Sequence, residues 1–562
     1  MVQDKTVIWV AVGALIFLDS VALASLVQGS LPLNPIVALV AVIMGRQHLT
    51  LVFWLTLVGA LALQVGLIFL FKRRSRLKVR GDKASRHTGS AVNSQALSQK
   101  AVAEKAKRLQ VQSEVIGLPI GKAVNGGRWL YSSFEDVCIV ITGPRGYKTT
   151  AWCIPRIFKA PGAVVATSNK RDLVDSTKDK RALRGRCWVF DPQQIAESPQ
   201  DFYWNPLTYV TDAVSARSLA DIFASASRES EAKTDPFFDN AARDLIAALL
   251  LAAALNGSNL EQVYSWLSDE SNQEPVMILQ RQSPLMADSL RNAMNLPAET
   301  KGGVWGGAFQ MVSFMLNEKA MQFTRPNPWM KPFIPAEFVK SSDTLYCLSQ
   351  EGRGSATPIV TALTVAVTEA AVEWAKKCPG GRLTVPMLIE LDEAANVCRW
   401  NELPDMYSHF GSRGIVVDTL LQSWSQGTAR WGDAGMKKLW SAANVAVYGG
   451  GVKEKEFLSL LSEIIGVYWL DSVQTSHSKQ GSSRSVSRQA QQRSIATIAD
   501  LQSLPAQRMW VLASGSEPVL AKKVPYWKTK LSKEGAVSCN NKKTRSIRQK
   551  SKSRRALSSP WN

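Results

Sequence analysis

The sequence is poor in the residues that build covalently stapled or metal-stapled folds. Its seven cysteines (Cys138, Cys153, Cys187, Cys347, Cys378, Cys398 and Cys539) are odd in number, scattered, and form no C-x-x-C pair. That argues against a disulfide framework or a structural zinc site and fits a reducing cytosol. The four histidines lie far apart and make no metal-spaced motif. Acidic residues are short as well: 46 Asp and Glu face 67 Lys and Arg, a formal net charge of +21. Such an excess points to a polyanionic partner or an anionic membrane surface, although a few solvated tails produce it too. With 46% hydrophobic and 20% charged residues over 562 positions, most of the chain can fold, and several domains are expected.

Long apolar runs are present, and both lie in the first 75 residues. Residues 7–27 and 49–71 are each long enough for a bilayer, which needs about 20 residues. A cleaved signal peptide fits the first run less well, because its charged n-region is poor and no small-x-small site stands out. A buried helical hairpin is the other alternative. The flanks favour two membrane spans: Lys72, Arg73, Arg74, Arg76, Lys78, Arg80, Lys83 and Arg86 follow the second run, whereas the loop 28–48 holds only Arg46. The positive-inside rule then puts both termini in the cytoplasm. Residues 36–44 are apolar but too short to span, and belong at the outer interface or extend the second helix. Asp19, costly in lipid, should face a helix partner or polar cavity. Residues 76–115 read as a basic linker, helical near 95–112, and residues 529–562 as a basic, disordered tail.

The rest reads as α/β. Apolar strands are expected at 137–142, 163–167, 187–190, 344–347, 387–391, 415–420, 445–448 and 509–512, with helices between them, which suggests a mostly parallel sheet covered on both faces. Residues 211–335 break the alternation with helical patterns only, clearest at 238–255, and so read as an all-α domain inserted in the nucleotide-binding body (116–210 and 336–528).

A strand running into Gly143-Pro144-Arg145-Gly146-Tyr147-Lys148-Thr149-Thr150, followed by a helical segment, is the setting of a phosphate loop, whose backbone N–H groups and helix dipole hold phosphates. Lys148 would contact the phosphates and Thr149 would ligate Mg2+. The match to G-x-x-x-x-G-K-[ST] is imperfect: tyrosine stands before the lysine and the spacing is one residue short. Taken alone, a chance turn explains it as well. Residues 386–393 add a second element, an apolar strand ending in Asp392, placed to hold the metal, and Glu393, placed to polarise water. A solvated acidic turn is the plainer alternative. Gln422, just beyond the strand at 415–420, belongs on the same sheet edge, where it would sense the γ-phosphate.

These elements and the words around them resemble the coupling proteins of type IV secretion and conjugation, the TraG/TraD class, related to RecA/FtsK-like DNA motors. The matching words are "PGAVVATSNKRDLVDST" (161–177), "WVFDP" (188–192), "WNPL" (204–207), "LIELDEAANV" (388–397), "GSRGIVVDTLLQSWSQ" (411–426) and "RSIATIADLQSLPAQRMWVLASGSEPVLAKKVPYW" (493–527). The shortened loop spacing is similar to that of actinobacterial-type members. The resemblance implies two amino-terminal spans, a RecA-like P-loop domain with an all-α insert, and a hexameric ring. It implies ATP and Mg2+ as cofactors, and DNA with a relaxase or relaxosome, or a secreted protein, as cargo passed to channel proteins in the cell membrane. Lys148, Thr149, Asp392, Glu393 and Gln422 carry over by position, and Arg413 becomes a candidate for reaching a neighbour's nucleotide, with a plain surface arginine as the alternative. In a ring, the polar loop 474–493 with Lys479, Arg484, Arg488 and Arg493 would touch DNA phosphates, unless it is an ordinary surface loop. Two rival functions remain: a docking platform with weak catalysis, motivated by Tyr147, and an FtsK-type chromosome translocase, disfavoured because no compact DNA-reading domain follows Trp527.

Overall fold

Continuous apolar runs become central strands because burial on both faces leaves no place for alternation. The computed structural model describes residues 17–29, 34–44, 49–75, 82–88, 95–227, 235–352, 355–477 and 484–529. Its strands are β1 (Leu118–Ala123), β2 (Trp129–Ser132), β3 (Cys138–Ile141), β4 (Val164–Ser168), β5 (Cys187–Phe190), β6 (Phe202–Tyr203), β7 (Lys331–Pro332), β8 (Thr344–Leu348), β9 (Met387–Leu391), β10 (Ile415–Leu421), β11 (Val445–Tyr448), β12 (Val467–His477), β13 (Arg484–Ser494), β14 (Arg508–Ala513) and β15 (Val519–Lys522). Eleven of them form one sheet in the order β2-β1-β15-β14-β11-β3-β10-β9-β4-β8-β5. The seven from β11 to β5 are parallel, and the four beyond β11 pair antiparallel. Every residue of β3, β4, β8, β9, β10 and β11 is buried. Successive β3 residues serve opposite faces: Ile139 and Ile141 join one apolar cluster, Cys138 and Val140 the other.

Among the described residues between 211 and 330 there are helices and no strand. The longest, Pro236–Leu255, starts at Asp235, whose side chain accepts the N–H groups of Phe237 and Phe238, with proline in the first turn. These helices are not a separate body. Leu245, Ile246, Leu249 and Trp305 share one buried cluster with Ile139 and Ile389 of the sheet. The stretch expected to be a linker also has structure: the helix Gln99–Arg108, capped by Ser98, buries Val102, and Ser98 bridges to Leu130.

Residues 1–83 form their own unit. The described part holds helices Phe17–Gln28, Pro35–Ile43 and Leu51–Ser75. Residues 36–44 therefore form a helix of their own instead of extending the second run. Val21, Ala24, Ala38, Phe53 and Leu57 are buried together, while Leu23, Leu26, Ile36, Leu51, Leu55 and Leu63 are exposed. Asp19 is exposed in the single chain. Among the described residues one helix is long and apolar enough to cross a membrane, Thr357–Lys377, and it is mostly buried. Residues 7–16, 76–81 and 530–562 lie outside the described residues.

The helix that follows the glycine-containing loop is tied to the sheet by a buried ion pair. Arg156 Nε bonds Asp418 Oδ2 and Nη2 lies 2.8 Å from Oδ1, both side chains fully buried. Arg156 also donates to Ser132 Oγ at 2.9 Å. Burial works against the guanidinium, yet Asp418 more than offsets it and its pKa is raised. Beside it, burial pushes the Glu390 carboxyl well up, so Glu390 is held neutral. Arg156→Met is expected to cost about 3–5 kcal/mol by stranding Asp418, and Arg156→Met with Asp418→Leu to recover most of it. Urea unfolding of the detergent-purified full chain, followed by tryptophan fluorescence, compares the two. Equal losses in single and double variants would show that the pair is not what matters.

Candidate nucleotide site

The loop from Thr142 to Thr150 is shaped by backbone that only glycine permits at two places. Gly143 N–H donates to Gly450 O at 2.9 Å, and a Cβ on Gly143 would lie 2.3 Å from Gly451 O. A Cβ on Gly146 would meet Thr142 Cγ2 at 2.8 Å and Gly143 O at 3.0 Å. Arg145 (φ 59°) and Tyr147 (φ 61°) adopt the left-handed conformation without being glycine. Tyrosine, standing where the pattern has glycine before Lys148, takes the left-handed conformation itself, at roughly 1–2 kcal/mol. Pro144 and Arg145 are exposed and Tyr147 half-buried.

The next turn, Thr149–Cys153, is a π-turn. Pro155 supplies no N–H and crowds the carbonyl four residues back, which accounts for the wider turn before it. The first N–H groups of this helix have no intrahelical acceptor and carry the positive end of its dipole, so the loop and helix start form an anion cradle.

Parallel strands deliver the other groups to the same edge. β10 lies between β3 and β9, paired to both. Lys148 Nζ lies 2.6 Å from Glu393 Oε1 and 3.3 Å from Asp392 Oδ1. Thr149 Oγ1 donates to Asp392 Oδ2 at 3.1 Å, and Gln422 Nε2 donates to Glu393 Oε2 at 2.8 Å. Thr167 on β4 donates to Asp392 O at 3.3 Å. Burial depresses the Lys148 ammonium, but Asp392 and Glu393 outweigh it and its pKa is raised. Burial raises the Asp392 carboxyl against the opposing pull of Lys148.

Lys148, Thr149, Asp392, Glu393 and Gln422 are thus within hydrogen-bond reach of one another or of a shared neighbour. Sequence reasoning missed Gln426, whose Oε1 accepts Gln422 N–H at 2.8 Å and whose Nε2 donates to Asn396 Oδ1 at 2.9 Å. It also missed the Gly449-Gly450-Gly451 run against which the loop packs. Arg413 is half-buried at the amino end of β10, the opposite edge of the sheet, roughly 20 Å from this site by strand rise. The expected polar loop 474–493 is instead part of a two-stranded antiparallel ribbon, β12 with β13. Arg484 and Arg488 are paired in its backbone register, and Arg493 is exposed with its guanidinium on Gln491. Lys479, and the side chains of Arg484 and Arg488, lie outside the described residues.

The donor set suits Mg2+ with a nucleotide. Asp392 Oδ1 is buried and accepts no hydrogen bond, with the Lys148 ammonium 3.3 Å away as its ionic neighbour, the Thr149 hydroxyl adjoins the same carboxylate, and hard oxygens of this kind match a metal that takes its remaining ligands from phosphate and water.

Comparison with known proteins bears on this site directly. Residues 386–506, which include Asp392, Glu393 and Gln422, match the family described as the TraM recognition site of TraD and TraG. That segment, about a fifth of the chain, is similar to TraD and TraG. Solved structures of the bacterial conjugative coupling protein TrwB share its fold. The unbound form is 14% identical, with a TM-score of 0.53 over 75% of this chain and 91% of that one. TrwB with a non-hydrolysable ATP analogue aligns at 14% identity and TM-score 0.53, over 75% and 92%. TrwB with ADP and Mg2+ aligns at 14% and 0.52, over 75% and 91%. No curated protein sequence matches. The likeness is one of fold, shared over three quarters of this chain.

Tyr147→Ala keeps the left-handed penalty that Tyr147→Gly removes. The glycine variant should be the more stable of the two by about 1 kcal/mol. The difference in urea midpoint measures it, and equal midpoints would mean that the backbone at 147 is unstrained.

Proposed function

We propose that this chain is a membrane-anchored coupling ATPase that brings DNA, as a relaxase–DNA complex, to a type IV secretion or conjugation channel. The convergence of Lys148, Thr149, Asp392, Glu393 and Gln422 on one sheet edge carries this reading. The match of the surrounding segment to the TraD and TraG family supports it. Exposed leucines on the helices of residues 17–75 and the basic run after Phe71 support a two-span anchor with both termini cytoplasmic. A hexameric ring, Arg413 acting on a neighbour's nucleotide, and contact of the β12–β13 ribbon with DNA are parts of the same proposal, as is the actinobacterial-type affinity.

In this reading Thr149 and Asp392 hold Mg2+, which supplies neutralisation of phosphate charge when bound. Lys148 exchanges its carboxylate partners for phosphate. Glu393, released from Lys148, accepts a proton from water that Gln422 helps to orient, since Gln422 already bonds the other Glu393 oxygen. Tyr147 favours the second reading, a docking platform that hydrolyses little.

ATP hydrolysis by the detergent-purified full chain, with and without DNA, separates the two. DNA-stimulated turnover is expected, with Lys148→Ala losing nucleotide binding and Glu393→Gln binding normally but turning over about 10²–10⁴-fold more slowly. Turnover indifferent to Lys148→Ala would defeat the site assignment. A parent that binds without hydrolysing, with or without DNA, would leave the platform reading in its place.

A further inference from the structure

Lys523 is the most buried lysine in the neighbourhood of the loop, and nothing in the preceding reading uses it. It directly follows β15, and its N–H donates to Gln507 O at 3.0 Å. β15 is antiparallel to β14, which is antiparallel to β11. β15 therefore runs in the same direction as β3, and its carboxyl end reaches the nucleotide edge. Lys523 Nζ donates to Gly146 O and to Gly449 O, each at 2.6 Å, and lies 3.5 Å from Thr142 Oγ1. The residue is only 9% exposed. The space is closely made: a Cβ on Gly449 would lie 1.6 Å from Thr142 Oγ1 and 2.8 Å from Lys523 Nζ.

The groups that face the ammonium are thus the Thr142 hydroxyl and Gly146 carbonyl of the loop and the Gly449 carbonyl after β11, with the Gln507 carbonyl on its own backbone. No ion pair to Lys523 is formed by any described residue. An ammonium held only by neutral oxygens is a buried charge without a counterion, which is costly unless a counterion arrives. The geometry of the pinned peptide says where it would come from. In a planar trans peptide the carbonyl and the following N–H point in opposite directions. Holding Gly146 O toward Lys523 turns the Tyr147 N–H away from it, toward the anion cradle.

We propose that Lys523 is a positioning residue of the nucleotide site: from beneath the loop it pins the Gly146 and Gly449 carbonyls, aims the Tyr147 N–H at phosphate, and acts as a buried countercharge to the bound phosphates. It accounts for how Tyr147 is held in the left-handed conformation, because the peptide before it is fixed from below. The inference rests on the nucleotide reading given above. A consequence follows from burial, which lowers the Lys523 pKa to about 7. Phosphate binding favours the charged form and so raises that value in the complex. By linkage, the contribution of Lys523 to affinity is complete below the free-state value and is lost as pH rises through the value in the complex.

The test is equilibrium binding of a fluorescent ATP analogue to the detergent-purified full chain from pH 6 to 9, at fixed free Mg2+. The parent is compared with Lys523→Met, Lys523→Arg and Lys148→Ala. Taking ratios to Lys523→Met cancels the titration of the nucleotide itself. The parent should bind about tenfold more tightly than Lys523→Met at pH 6, with the gap closing toward pH 9. Lys523→Arg should stay close to the parent at pH 6 and surpass it as pH rises. A parent-to-Met ratio that does not change with pH, or Lys523→Met binding like the parent, overturns the proposal. If Lys523→Met does not fold, the Arg-to-parent ratio decides alone: flat with pH, it overturns the proposal. A parent that fails to bind at every pH, or binds no better than Lys148→Ala, instead removes the nucleotide reading and this inference with it. Parent binding lost in Lys148→Ala but unaltered in Lys523→Met removes only the inference.

Discussion

The buried pair of Arg156 and Asp418 holds the site in register. Arg156 belongs to the helix that starts at the loop Thr142–Thr150, and Asp418 to β10, the strand between β3 and β9. One fully buried bidentate contact thus fixes the loop helix on the strand between the two motif strands. Lys148 and Thr149 lie two turns earlier on that helix. Their distances to Asp392 and Glu393 follow from where Arg156 is held. The surroundings keep the pair from being a liability. Ser132 takes another Arg156 proton, Trp152 lies under the guanidinium, and the neighbouring Glu390 is kept neutral, so the pocket holds one net-balanced pair and not an extra negative charge.

Backbone strain is concentrated where that register is fixed. Of the six non-glycine residues at positive φ among the described residues, three are at the candidate nucleotide site: Arg145, Tyr147 and Glu393. Glu393, at φ 57° and ψ 47°, turns the chain at the end of β9. The turn brings its carboxylate to Lys148 on one oxygen and Gln422 on the other. Strain of this kind persists only where surrounding contacts over-determine it. Here they are the Gly143–Gly450 bond, the Lys523 contacts and the Thr167 bond to Asp392 O.

How far the sequence revealed this depends on whether a feature is local. β3, β4, β9, β10 and β11 were legible because continuous burial forces continuous apolar runs. Lys148, Thr149, Asp392, Glu393 and Gln422 could be named because each ends or follows such a strand, and parallel strands end on one edge. β1 contains Pro119 and Gly121, β15 is four residues long, and β12–β13 pair only with each other. None of these carries a periodic apolar signal to detect. Arg156, Asp418 and Lys523 read as ordinary charges in sequence, because their burial is created by chain segments hundreds of residues away. The helical insert was legible as helices, but not as part of the sheet's own core, since its sharing of one apolar cluster with the sheet is a tertiary fact.

The charged groups of the site already pair with one another. Lys148 is neutralised by Asp392 and Glu393, and Glu393 is shared with Gln422. In the proposed reading an anion entering the cradle exchanges partners with Lys148, and Glu393 then loses its contact with that lysine. What remains to hold Glu393 is Gln422, whose backbone N–H is held by Gln426 at the start of the helix Trp424–Ala442. One turn further, Arg430 donates to Ser225 O at the end of the insert's first helix and to Arg399 O beyond Asp392-Glu393. The helix Trp424–Ala442 thus reaches Glu393 through Gln422 at one turn and bonds the helical insert at the next. The surroundings of Lys148 and the seating of the insert are parts of one bonded framework, because one helical segment, before the break at Gly432, carries both Gln426 and Arg430.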